Sequence, residues 1–134
     1  MIGPDNLRWE AASAMRKAAL FIGQDLLFAG KIQAAAGPMG IELIQESDLP
    51  DIERALADQA VRAVFFDLNC ATPALSDVMN LLPDESCPMT VAFGPHVNTV
   101  RLEQARALGF DHVLPRSRFA GELPNLLKQA FGDS

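Results

Sequence analysis

The chain has 134 residues, no tyrosine, a single tryptophan and only two cysteines. Cys70 and Cys87 are too few for a disulfide framework and lack metal-ligand spacing, so both thiols are expected to be reduced. No apolar run approaches a membrane span, and the opening MIGPDNLRWE lacks the basic-then-apolar order of a secretory signal. A cytoplasmic protein is the default expectation. A basic excess is also missing: eleven basic residues are scattered among seventeen acidic ones, for a net charge of −6. That balance argues against nucleic-acid binding and speaks for solubility. The glycines give no G-x-G-x-x-G fingerprint, so a dinucleotide or flavin cofactor is not indicated. No internal repeat, linker or low-complexity tract interrupts the chain.

What is present is enough apolar residue, 49%, for one domain with a full core. Five short apolar runs stand at 18–22 (AALFI), 41–44 (IELI), 61–67 (VRAVFFD), 89–93 (MTVAF) and 112–114 (HVL). Between and after them, apolar residues recur every three or four positions. Phe28, Ile32 and Ala35 mark the first such stretch, Ile52 and Leu56 the second, and Leu75, Val78 and Leu82 the third. Leu102, Ala105 and Leu108 mark the fourth, and Phe119, Leu123, Leu126 and Ala130 the fifth. Asp48, Thr72 before Pro73, Asn98 and Ser117 read as caps of the second to fifth helices. Gly40 and Gly109 read as helix-ending turns. Five strand–helix units predict an α/β domain over 17–132, with a parallel sheet and helices on both faces. Residues 1–16 fall outside the pattern, as a leader or a short helix carrying Trp9, Ala12 and Met15.

Chemistry in an open parallel sheet collects beyond the carboxyl ends of its strands. Those ends carry Gly23-Gln24-Asp25, Asp67, Phe93-Gly94-Pro95-His96 and Pro115-Arg116. Asp67 is the most informative, a carboxylate closing an otherwise apolar strand. On its own it reads equally as a nucleophile, a metal ligand or an acceptor for loop amides. His96 stands beside it in sequence order, with ordering of the next helix as its plainer role. Cys70 follows Asp67 closely, but no third group is evident to orient a Cys–His pair. Cys87 opens the fourth strand at the far end of the sheet, which disfavours a bridge to Cys70. His112 reads as structural or surface.

In order, FFDLNCATPALSDVMNLL, CPMTVAFGPH and ARALGFDHVLPRSRF resemble the response-regulator receiver (CheY-like) family, the likeness covering residues 18 to 131. The resemblance implies a doubly wound five-stranded sheet in the order 2-1-3-4-5. It also implies an aspartate that accepts a phosphoryl group, acidic residues holding Mg²⁺ after the first strand, a hydroxyl ending strand four and a lysine ending strand five. Asp67 matches the acceptor. The acidic pair falls on Gly23 and Gln24, with Asp25 one position beyond the ligand register; Asp25 and Asp67 are the weak metal candidates. The hydroxyl falls on Phe93, and the lysine on Arg116, which keeps the charge with a different geometry. Mg²⁺ prefers octahedral oxygen ligands, and phosphoryl transfer depends on such charge neutralisation. A degenerate, pseudo-receiver member is therefore expected, with Arg116 paired to Asp67, no cofactor and no enzymatic activity. It would act as a signalling interaction module. Its partner, another signalling protein or a second copy, would use the strand-four to helix-five face, with Phe93, His96, Arg118 and Phe119 as contacts. Two other readings stay open: a working single-domain regulator phosphorylated on Asp67 with Mg²⁺, and a small-molecule-binding or hydrolytic protein using Asp67, His96 and Cys70.

Overall fold

A computed structural model describes residues 17–58, 60–70, 73–83 and 88–132. The expected leader or helix at 1–16, the Thr72 cap and Cys87 lie outside them. The elements are β1 (Lys17–Ile22), α1 (Leu26–Ala36), a short helical turn (Gly37–Met39), β2 (Glu42–Glu46), α2 (Leu49–Asp58) and β3 (Ala60–Asp67). These are followed by α3 (Leu75–Leu81), β4 (Met89–Gly94), α4 (Thr99–Ala107), β5 (His112–Pro115) and α5 (Arg116–Phe131). The five strands form one parallel sheet in the order β2-β1-β3-β4-β5, as expected.

Alternation along the central strands divides the core into two layers. Phe21, Phe65 and Phe93 point to one face and meet Phe28 and Ile32 of α1 with Phe119, Leu123 and Leu127 of α5. Leu20, Val64 and Ala92 point to the other and meet Ile52 of α2, Leu75 and Val78 of α3, and Leu102 and Ala105 of α4. The aromatic layer is dense. Phe93 and Phe119 stack with centroids 4.1 Å apart and planes inclined by 3°, and Phe28 leans on both. The edge strands β2 and β5 are only half-buried.

Three boundaries differ from the sequence pattern. Pairing with β1, rather than apolarity, sets the extent of β2, which runs on through Gln45 and Glu46 opposite Phe21 and Ile22. Before α3 the backbone stays extended through Ala74 (φ −69°, ψ 145°), so the helix begins two residues after Pro73. Ser117 is not a cap: Pro115 (φ −60°, ψ 149°) passes directly from β5 into a helix that already includes Arg116. Asn98 caps α4, its Oδ1 accepting the Arg101 amide at 3.4 Å, and Asp48 stands just before α2, where its backbone carbonyl accepts the Ile52 amide at 2.9 Å. Gly40 and Gly109 have φ of 74° and 91°, which a side chain would strain.

Candidate functional site

Asp67 ends β3 at the carboxyl edge of the sheet, with its residue only 2% exposed. Its Oδ1 accepts the Asn69 amide at 2.9 Å, an Asx turn that starts the following loop. Burial raises the Asp67 pKa above its ordinary value; the Asn69 amide and the Arg116 charge oppose this, and Asp25 adds to it.

Asp25 caps α1, its Oδ1 accepting the amides of Leu27 at 2.9 Å and Phe28 at 3.3 Å. That bond turns Oδ2 toward Arg116, whose Nη2 lies 3.7 Å from it and 3.9 Å from Asp67 Oδ1. The guanidinium carbon lies 5.0 Å from the centroid of the Phe28 ring, a cation–π contact that holds the side chain over α1. Arg116 thus stands between the two carboxylates on an aromatic platform. Its Nε is buried without a hydrogen-bond partner.

The rest of the strand-end region is closed. A Cβ at Gly23 would lie 2.9 Å from Asp67 Cβ and 3.0 Å from the Phe21 ring, so no side chain fits there without displacement. Phe93, opposite Asp67 in the β3–β4 register, directs its ring into the core at 0% exposure. Its carbonyl accepts the Leu68 amide at 2.8 Å, and a Cβ at Gly94 would lie 2.9 Å from Leu68 Cβ. The loop beyond Asp67 is fastened by Arg101 of α4, whose Nη2 donates to the Cys70 carbonyl at 2.9 Å.

Of the residues singled out from sequence, Asp25, Asp67 and Arg116 come together. Asp25, which falls one position beyond the ligand register in sequence, caps α1 and turns its free oxygen toward Arg116. The contact roles expected of Phe93 and Phe119 are corrected. Both are fully buried and stacked on each other, and a ring inside the core offers nothing to a partner. His96 lies exposed in the turn after β4, and Arg118 is exposed on α5. Sequence reasoning assigned Phe28 to the core without seeing its place beneath Arg116, and it passed over Arg101. Neither has a motif; only the three-dimensional approach of α1 to α5, and of α4 to the 68–70 loop, reveals them.

Two carboxylates that share a guanidinium keep one net negative charge between them for a divalent ion, and the neighbouring ligand position at Gly23 admits no side chain. Among the described residues no group of three His, Cys, Asp or Glu side chains converges as a metal site. These residues do not fit Mg²⁺.

No family model matches the chain, and no curated protein matches it by sequence. Solved structures do resemble it. A phosphorylated cyanobacterial phytochrome response regulator superposes with a TM-score of 0.68 at 13% identity, covering 90% of this chain and 97% of that one. The receiver domain of a Pseudomonas aeruginosa sensor histidine kinase, solved with magnesium in its active-site cleft, gives 0.68 at 15% identity, covering 90% and 100%. A Thermotoga maritima response regulator gives 0.70 at 10% identity, covering 89% and 100%. With the same strand order and nearly complete mutual coverage, the fold of this chain is the receiver (CheY-like) fold.

Proposed function

We propose that the chain is a pseudo-receiver, a signalling interaction module whose Asp67 site is held in one state by Arg116 and does not undergo normal aspartyl phosphorylation. The observation that carries this reading is the single guanidinium lying 3.7 Å from Asp25 and 3.9 Å from Asp67. A fixed cation there offsets part of the carboxylate charge permanently. Burial works in the same direction, since it favours the neutral acid over the anion that would attack phosphorus.

Output from such a module would be contact with another signalling protein. With Phe93 and Phe119 withdrawn into the core, the groove along β5 and α5 is the better contact on that side. It measures about 510 Å³ and is lined by His112, Leu114, Arg118, Leu126 and Lys128 with a single acid, Glu122. Two leucines among mostly polar side chains, Asn125 and Gln129 included, with one more base than acid, suit a polar, mildly acidic segment of a partner. No helix among the described residues is long and apolar enough to cross a membrane.

The convergence of Asp25 on Asp67 favours a second reading, a working phospho-receiver, and one experiment separates the two. The protein is incubated with a small phosphodonor and Mg²⁺, and its intact mass is compared with that of Asp67→Asn. The pseudo-receiver reading expects no adduct on either protein and no Mg²⁺ binding by calorimetry. A phosphoryl adduct confined to the wild type would establish the second reading instead.

A further inference from the structure

We propose that Arg116 is the site's own cation: its guanidinium occupies the place a divalent ion would need between Asp25 and Asp67, and so keeps such ions out. This rests on the pseudo-receiver reading and deepens it, because it names the side chain that excludes the metal.

Two features stand against a divalent ion here, the guanidinium and the closed position at Gly23. They are unequal. Mg²⁺ usually keeps several waters and takes only one or two carboxylates, so water can fill the place of a missing side chain. Nothing substitutes in that way for a positive charge already in position, which repels a second cation directly.

The contacts of Arg116 are those of a charge and not of a hydrogen-bonding fork. Arginine commonly grips a carboxylate through two parallel N–H···O bonds of about 2.7–2.9 Å. Here Nη2 lies 3.7 Å from Asp25 Oδ2 and 3.9 Å from Asp67 Oδ1, beyond hydrogen-bond length from both. Nε is buried without a hydrogen-bond partner. What holds the group is charge attraction and the Phe28 ring, 5.0 Å from the guanidinium carbon. Another cation could supply the same charge.

The spacing suits a hydrated one. A water about 2.1 Å from Mg²⁺ that bonds a carboxylate oxygen at about 2.7 Å sets that oxygen about 4 Å from the ion. Asp25 Oδ2 and Asp67 Oδ1 both lie within that distance of Nη2. Neither carboxylate depends on Arg116 for its position: the amides of Leu27 and Phe28 hold Asp25, and the Asn69 amide holds Asp67. The side chains of Asp25 and Arg116 are 28% and 34% exposed, so a small ion has access from solvent.

Mn²⁺, a paramagnetic probe for Mg²⁺ sites, provides the test. Free Mn²⁺ is followed by electron paramagnetic resonance as it is titrated into the full chain at a fixed, mildly alkaline pH. Arg116→Ala is expected to bind one ion at least about tenfold more tightly than the wild type, since the site then carries two negative charges and not one. Mg²⁺ should compete for it, and the double variant Asp67→Asn/Arg116→Ala should lose the gain. Arg116→Met keeps an apolar stem over Phe28 and should show the same gain, so the test stands even where the smaller side chain loosens the fold. Far-UV circular dichroism checks each variant. Folded Arg116 variants that bind no more tightly than the wild type overturn the inference and leave the pseudo-receiver reading standing. So does a gain that survives Asp67→Asn, which would place the ion elsewhere. A wild type that already binds Mn²⁺, and loses it on Asp67→Asn, overturns the inference and the reading beneath it together.

Discussion

Asp67 is pulled in two directions: its burial favours the protonated acid, while the Asn69 amide and the Arg116 guanidinium favour the anion. Burial dominates, so the folded pKa lies above the unfolded one. The folded protein then binds a proton where the unfolded chain does not, and stability rises as pH falls through the folded pKa toward the unfolded value near 3.8. At neutral pH the ionised carboxylate therefore costs stability. Asp67→Asn retains an oxygen for the Asn69 amide and carries no charge. It is expected to raise the melting temperature at pH 7 and to flatten its dependence on pH above the unfolded value near 3.8. A lower melting temperature at pH 7 would mean that the Arg116 interaction outweighs burial. Arg116 is the counterpart. With about a third of its side chain exposed, its ion pairs are weakened by solvent, and Arg116→Met should cost about 1 kcal/mol at pH 7 by chemical denaturation. That loss should shrink as pH falls through the raised folded pKa of Asp67, where the carboxylate takes up its proton.

At the scale of elements, hydrophobic spacing located all five strands and all five helices, because burial on one or both sides leaves a periodic trace. What it could not locate were boundaries set by backbone pairing and backbone conformation. Gln45 and Glu46 carry no strand signal, yet β1 offers them partners. Ser117 is a good cap by type, but Pro115 had already fixed the entry into α5. The same helix contains Pro124, which supplies no amide to the carbonyl one turn earlier. Its side chain is exposed and fills no core space. Pro124→Ala should therefore stabilise the fold by about 1–3 kcal/mol, read from the shift in urea midpoint at constant m-value. A destabilised variant would show that a proline bend is needed to lay α5 along the sheet.

At the scale of the whole molecule, the site and the core are one structure. Asp67 and Arg116 were legible because each stands at a strand end in a recognisable series. The part that sequence order hid was which side of the sheet claims Phe93. Its ring completes the aromatic layer with Phe28 and Phe119, so the position where the family resemblance calls for a hydroxyl has become part of the hydrophobic core. Restoring that hydroxyl by Phe93→Thr should empty a fully buried ring volume and cost about 2–4 kcal/mol in denaturant unfolding. It should confer no phosphorylation, since Arg116 still stands between the carboxylates.

One bond described at the site reaches further than its length. Arg101 leaves α4 to hold the Cys70 carbonyl, 31 residues away in sequence and three residues beyond Asp67. The loop that leaves Asp67 and α4 are thereby linked through a single guanidinium. Linkage of this kind has no preferred direction: whatever binding at α4 does to the affinity of the Asp67 loop for a ligand, that ligand must do by the same factor to binding at α4.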